Sequence, residues 1–392
     1  MPKIEDLPKI SPKELVEILE YLDTLSNPPA IMIYGVPGIG KSTIVKEFAE
    51  KKKYELRIKH LSRMDSTDWS GIPDNNPNDI YTSFKPIALF RPPKEGYKKI
   101  VIFFDELNTA LPQVLNSALD VILEKRGDIE THGKAAQLPQ ETIIVAAGNL
   151  GPELDGTNVE EFSSAVKTRL IQVYLETNFN DWKAWAEEKG ISEIVISFLN
   201  ENPKFLIDRN GFIQNLQQIA TPRGWERVSD YIKNLDKYIQ LQNYSVSPEE
   251  LLEKLVVGTV GKKVGEAFME YYKNFKSKTK DLNKTFNELI SVFQNPGVRE
   301  IGNIGDYINK TCETFELINY SMNSIKNDID LLNLAKKLLK LMYDNFLSNK
   351  NISVEAMRPL AEFSDKDFID FVINRLGLTQ YKEFFSRIGG AI

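Results

Sequence analysis

The stretch Gly35-Val36-Pro37-Gly38-Ile39-Gly40-Lys41-Ser42 fits the pattern G-x-x-x-x-G-K-[ST] without a mismatch. A short apolar run, residues 30–34, leads into it, and a helix-forming run, residues 41–51, leaves it. In a strand–glycine loop–helix arrangement successive backbone N–H groups turn inward and can face phosphate oxygens. Lys41 adds a mobile positive charge for β- and γ-phosphates, and Ser42 adds a hydroxyl suited to Mg2+. The helix aims its positive end at the same point. A chance match in a chain of 392 residues is about a one-in-a-hundred event. The loop therefore decides the fold class: α/β, a parallel sheet flanked by helices. The residues expected to cradle a nucleotide are Gly35, Val36, Pro37, Gly38, Ile39, Gly40, Lys41, Ser42 and Thr43.

Two further strand ends carry chemistry. Ile100-Val101-Ile102-Phe103-Phe104 is an apolar strand that finishes in Asp105-Glu106. Delivered to the carboxyl edge of a parallel sheet, Asp105 would join Ser42 around Mg2+, and Glu106 would orient and deprotonate a water. An acidic pair after a strand is by itself commonly an ordinary loop; its place after a clean phosphate loop gives it weight. A third strand, residues 142–147, ends in Gly148-Asn149, where an amide can fix the water by hydrogen bonding.

Composition narrows the surroundings. Hydrophobic residues make up 42% and charged residues 27%, ordinary for a globular chain and outside the disordered range. The longest apolar runs are strand-length, so no membrane insertion is expected. Residues 1–11 lack the shape of a secretory signal, and a cytoplasmic location is expected. One cysteine, Cys312, and two histidines, His60 and His132, exclude a disulfide framework and argue against a zinc site. The net charge of −6 makes nucleic acid an unlikely partner. The run Lys51-Lys52-Lys53 reads as the solvated end of a helix.

Residues 12–25 read as an amphipathic helix with Ser11 as N-cap and Pro12 in first position. Other strands are expected at 55–60 and 171–175, and a helix at 180–188 behind an Asn cap and closed by Gly190. Leu111, Val114, Leu115, Ala118, Leu119, Ile122 and Leu123 form a helical stripe behind an Asn108/Thr109 cap. Later stripes, from Leu331 to Leu341 and around Phe368, Phe371 and Ile373, read as core.

On GVPGIGKST at 35–43, FFDELN at 103–108, AAGN at 146–149, AVKTRL at 165–170 and TPRGWERVS at 221–229, the chain resembles the AAA+ ATPases. The TPR-x-W wording and VGTVGKKVGEAF at 257–268 point to the MoxR-like, dynein-related group. The resemblance spans about residues 10–275 and implies an AAA+ nucleotide-binding core at 1–177, with insertions at about 70–90 and 128–141. It implies a helical lid at 178–276, leaving a C-terminal helical region, 277–392, of unplaced role. It implies ATP and Mg2+ as cofactors and hydrolysis in a homo-oligomeric ring, taken as a hexamer. Asn149 matches the first sensor, Arg223 the second, and Arg169 the arginine finger reaching a neighbour's nucleotide. The wording around Arg169 departs from the Asp-Arg-Phe common in MoxR proteins, and Lys167 and Arg63 are the alternatives. The insertions would project toward a pore or client, with Tyr81 and Phe84 the aromatic candidates and a hairpin about His132-Gly133. A protein client and a partner with a von Willebrand factor A domain complete the picture, that of a remodeller or chaperone. The rival readings are a nucleic-acid motor of McrB type, which could use GTP, and a nucleotide-gated scaffold with little turnover.

Overall fold

A computed structural model describes residues 4–294 except Ser66, 75–82, 132–133, Asn215 and 242–243, together with positions 337, 338 and 341. The chain divides into two compact units: Met1–Lys189 with Asn202–Gly265, and Gly190–Glu201 with the residues from Glu266 onward.

In the first unit the chain runs β1 (Lys9–Ile10), α1 (Pro12–Leu22), β2 (Ile31–Tyr34), α2 (Lys41–Lys52), β3 (Glu55–His60), α3 (Thr67–Ser70), β4 (Ile72–Asp74) and β5 (Ser83–Lys85). It continues through β6 (Ile100–Asp105), α4 (Pro112–Glu124), β7 (Arg126–Thr131), β8 (Lys134–Gln137), β9 (Ile143–Gly148), α5 (Ser164–Lys167), β10 (Ile171–Leu175) and α6 (Phe179–Glu188). After α7 (Glu193–Glu201), which belongs to the second unit, come α8 (Arg209–Ile213), α9 (Pro222–Ile239) and α10 (Pro248–Val260). Helix α11 (Lys262–Gln294) begins in the first unit and continues in the second.

Six strands form one parallel sheet in the order β1-β10-β2-β9-β6-β3. The central strands β2 and β9 are buried along their whole length, and β6 along all but its last residue. Continuous apolar runs of this kind suit a sheet covered on both faces. Register lines up the functional ends: Tyr34 lies beside Gly148, and Phe104 beside Ala146. From β2 the chain crosses to β3 on one flank, while β10 returns on the other. The tips of β2, β9 and β6 therefore border the crevice where ligands bind in open α/β sheets.

Local chemistry explains the helix ends. Ser11 Oγ accepts from the Glu14 amide at 3.2 Å, while the Glu14 carboxylate accepts from the Ser11 amide at 2.7 Å, a capping box with Pro12 behind it. Helix α1 stops at Leu22, short of the expected residue 25. The Asp23 carboxylate instead accepts from the Tyr54 hydroxyl at 2.9 Å and Lys99 Nζ at 2.8 Å. Asn178 caps α6 by accepting from the Asp181 amide. The stripe on α4 is present, but its expected start is wrong. The N-cap is Leu111, which is 61% exposed, and Asn108 and Thr109 lie in a preceding 3-10 turn. Pro112 at the first helical position sets that boundary.

Both expected insertions carry antiparallel ribbons, β4–β5 and β7–β8. At the base of the first, a Cβ on Gly71 would sit 2.2 Å from the Lys85 carbonyl oxygen, so a side chain there would part the strands. Tyr81, His132 and Gly133 lie outside the described residues, as does the side chain of Phe84. Most of residues 277–392, including Cys312 and the Phe368, Phe371 and Ile373 stripe, also lies outside them. No helix among the described residues is long and apolar enough to cross a membrane. The second unit packs α7 and the later part of α11 through aromatic rings, with Phe198 and Phe268 edge-to-face at 5.2 Å.

The edge strand β3 turns two charged side chains inward. Arg57 donates to the carbonyls of Leu89 at 2.6 Å, Arg91 at 2.9 Å and Pro92 at 3.1 Å, and to Glu55 at 2.9 Å. Burial pushes the Glu55 carboxyl up, but Arg57, the Lys94 amide and Arg91 outweigh it and hold it down at about 2. The network ties the segment that returns from the first insertion to the sheet edge. The depressed Glu55 value means its stabilisation is complete above the ordinary 4.5 and is lost as pH falls toward 2. Arg57→Met is expected to cost about 3 kcal/mol, read from chemical denaturation at pH 7. The deficit should shrink as pH falls below 4.5; a pH-independent deficit would mean that Glu55 is not its source.

Candidate active site

The loop between β2 and α2 is fixed at both ends. The Gly35 amide donates to the Gly148 carbonyl at 3.3 Å, extending the β2–β9 ladder into the loop. At its crown Gly38 has φ of +78°, and a Cβ there would come within 2.9 Å of Thr221 Oγ1. The neighbour is the start of α9. Thr221 caps that helix by accepting from the Gly224 amide at 3.2 Å, Pro222 brings no N–H, and the Arg223 amide donates to the Gly38 carbonyl at 3.3 Å. One of the free amides at a helix start is thus satisfied by the phosphate loop itself. Trp225, fully buried, anchors the same turn through its indole N–H to the Phe205 carbonyl at 2.8 Å. This places the exposed Arg223 side chain beside the loop.

Lys41 is buried, its ammonium donating to the carbonyls of Gly35 at 2.6 Å and Val36 at 3.2 Å. Burial pulls its pKa from 10.5 to about 8; Asp105, Asp155 and Glu106 favour the charged form, and Arg223 opposes it. These are carbonyl partners that a phosphate would replace. Ser42 is half-buried and Thr43 exposed at the start of α2. Asp105 ends β6, with one oxygen accepting from the Glu106 amide at 3.1 Å and the other 3.5 Å from His60 Nδ1. A hydroxyl and a carboxylate are hard oxygen donors, so the residue types present fit Mg2+.

Glu106 has φ of +58°, a left-handed backbone that costs a non-glycine residue about 1–2 kcal/mol. Its carboxylate accepts from the Ser62 hydroxyl, on the turn that follows β3. Asn149 is held through its backbone. The Asn108 amide group donates to the Asn149 carbonyl at 2.8 Å and accepts from its N–H at 2.9 Å. Gly148 must be glycine beneath this clamp, because a Cβ would lie 2.6 Å from Asn108 Oδ1. Asp155 shapes the loop after β9, accepting from the amides of Leu150 at 2.6 Å, Gly151 at 3.0 Å and Thr157 at 3.1 Å.

The structure thus brings Lys41, Asp105, Glu106 and Arg223 within electrostatic reach of one another, and sets Asn149 on the adjoining strand tip. Arg169 is apart from that group in kind: it is exposed in the turn after α5, with no ion pair among the described residues. Of the alternatives, Lys167 is paired with Glu161 at 2.8 Å, and Arg63 is exposed. Ser62, Asn108 and Asp155 are site residues that the sequence did not mark as such. An Asn within FFDELN and an Asp-Gly-Thr turn one loop beyond AAGN were the available signals.

Residues 30–170 match the AAA domain of the dynein-related subfamily. The matched stretch contains the glycine loop and the strands β2, β3, β6 and β9 of the parallel sheet. Over 113 residues, 29% of the chain, it is 32% identical to the replication factor C large subunit of Sulfurisphaera tokodaii, of which that stretch covers 23%. Among solved structures, a candidate ATPase from Cytophaga hutchinsonii aligns over 88% of both chains at 13% identity and TM-score 0.33. The RuvB Holliday junction branch migration motor of Thermotoga maritima aligns over 66% of this chain and 67% of its own at 13% identity and TM-score 0.36. Neither likeness bears on function.

A lysine that titrates near pH 8 makes anion binding at the loop proton-linked. Phosphate favours the ammonium, so at pH 8.5 nucleotide binding should take up a proton, and affinity should fall as pH rises further. Calorimetry in buffers of different ionisation enthalpy reads this directly. Uptake should vanish at pH 6.5, where Lys41 is already charged; equal proton exchange at both pH values would contradict the assignment.

Proposed function

We propose that this chain is a Mg2+-dependent ATP hydrolase whose catalytic site is completed by a neighbouring copy in a ring. The observation that carries it is the convergence of Lys41, Asp105, Glu106 and Arg223 on one glycine loop, with a catalytic-type carboxylate held off by a serine. Ser42 and Asp105 would hold Mg2+, which supplies charge neutralisation on the β- and γ-phosphates. The loop amides and Lys41 bind and orient the triphosphate. Glu106, once released from Ser62, accepts the proton of a water as its oxygen bonds to the γ-phosphorus and the β–γ bridging oxygen departs. Asn149 positions that water, and Arg223 senses the γ-phosphate from α9, whose first turn is already bonded to Gly38. Arg169 of one subunit stabilises the transferring phosphoryl group in the next.

The finer reading is a MoxR-type remodeller or chaperone, a hexamer acting on a protein client with a von Willebrand factor A domain partner. It is supported by the Thr221-Pro222-Arg223-Gly224-Trp225 wording and by the ribbons β4–β5 and β7–β8, which would meet a client. Residues 178–276 would serve as the moving lid.

Ser62→Ala should raise basal turnover several-fold by freeing Glu106, without changing ATP affinity; lowered turnover would mean that the serine supports the active position instead. Glu106→Gln should bind ATP yet turn over at least about 100-fold more slowly. Arg169→Ala should lose about 1000-fold, and mixing it with Lys41→Ala should restore part of the activity, since each supplies what the other lacks. Unchanged turnover in Glu106→Gln sinks the hydrolysis reading, whereas full activity of a dilute monomer sinks only the shared site.

A further inference from the structure

Strand β6 leaves the sheet abruptly. It pairs with β9 as far as Phe104 beside Ala146, and Glu106, at φ of +58°, then turns the chain away. The residues that follow close on themselves. The Thr109 amide donates to the Glu106 carbonyl at 3.1 Å, and the Thr109 hydroxyl donates to the same oxygen at 2.9 Å. Asn108 lies inside this turn and is 1% exposed.

From there its side chain does what the departed strand no longer can. Pairing of β6 with β9 ends before Asn149, yet both main-chain groups of Asn149 are occupied. Its N–H donates to Asn108 Oδ1 at 2.9 Å, and its carbonyl accepts from Asn108 Nδ2 at 2.8 Å. Such a two-bond ring needs a donor and an acceptor side by side on one planar group, which Asn has and an ionised Asp of the same size lacks. The main-chain carbonyl of Asn108 is used as well, accepting from the Glu160 amide at 2.6 Å. The turn that carries Glu106, the tip of β9 and the approach to α5 therefore meet on one buried residue. Burial makes each of these bonds costly to lose, because no water replaces a missing partner.

With its N–H and carbonyl both held, Asn149 has a fixed backbone, and so a fixed direction in which its half-buried side chain leaves the strand. The Glu106 carboxylate and the Asn149 amide are thereby set relative to each other through one closed turn and one side chain.

We propose that Asn108 is a positioning residue for hydrolysis, which keeps the general base Glu106 and the water-holding Asn149 at one separation. The inference rests on the hydrolysis reading above and assigns the geometry of the water site to a residue that touches neither water nor nucleotide. A shift of about an ångström in such a group is enough to cost about 100-fold in rate.

Steady-state turnover and calorimetric ATP affinity of the full chain test this, measured for Asn108→Asp, Asn149→Ala and the double variant. Asn108→Asp keeps the side chain's size but sets an oxygen against the Asn149 carbonyl in place of the donor. Its turnover should fall about 10- to 100-fold, with the Kd for ATP within about threefold of the native value. Asn149→Ala should lose at least as much. The double variant should be no more than about threefold slower than Asn149→Ala alone, since Asn108 acts through Asn149. Asn108→Ala, which introduces no charge, should show the same pattern and decides the matter if Asn108→Asp does not fold. Losses that multiply in the double variant overturn the proposal. A Kd that rises in step with the lost turnover also overturns it, since that would report a displaced phosphate loop. Native turnover in Asn108→Asp beside a slow Glu106→Gln overturns the positioning role and leaves the hydrolysis reading standing. A native protein no faster than Glu106→Gln overturns both.

Discussion

The bond from the Arg223 amide to the Gly38 carbonyl joins the phosphate loop to a helix almost 200 residues further along the chain. It exists because three local choices coincide. Thr221 starts the helix as its N-cap, Pro222 removes one amide from need, and Gly38 has no Cβ to hold the helix away. The crown of the loop is thus tied to the first turn of α9, and α9 is itself anchored by the buried Trp225. A change in what the loop binds thus has a mechanical outlet, since a two-state element needs a ligand that contacts its two arrangements differently.

Around that joint the site stores charge under tension. Lys41 sits among backbone carbonyls with a depressed pKa, Glu106 holds a left-handed backbone, and its carboxylate is occupied by Ser62. Each feature costs stability, through desolvation at Lys41 and a strained backbone at Glu106. The opposite treatment is found at the far edge of the sheet, where Arg57, the Lys94 amide and Arg91 outweigh burial and hold the Glu55 carboxyl at about 2. One charge cluster is built to change and the other to stay.

Much of this was legible in the sequence because it is written locally. The strand–loop–helix of residues 31–52, the acidic end of β6, the Ser11 and Asn178 caps and the five long core strands all depend on neighbours a few residues apart. The two-residue strand β1 carries too little pattern to be seen and exists through its pairing with β10. What escaped depends on distant partners. Asn108 looks like a helix cap, and only the approach of β9 makes it a clamp on Asn149. Ser62 is an unremarkable turn residue until Glu106, 44 positions later, lies beside it. Glu55 and Arg57, two apart and so on one face of β3, were a readable signal for a paired charge, but the three carbonyls that complete the pair belong to residues 89–92.

Gly71 has a consequence of a different order. Its missing side chain lets the base of the β4–β5 ribbon close against the Lys85 carbonyl, while Arg57 secures the chain just beyond. Changes in the length or wording of the ribbon beyond that closure are insulated from the strands that carry Asp105 and Asn149. Such a hairpin is a place where a lineage can acquire a new binding partner by surface drift while the strand ends around the glycine loop stay as they were.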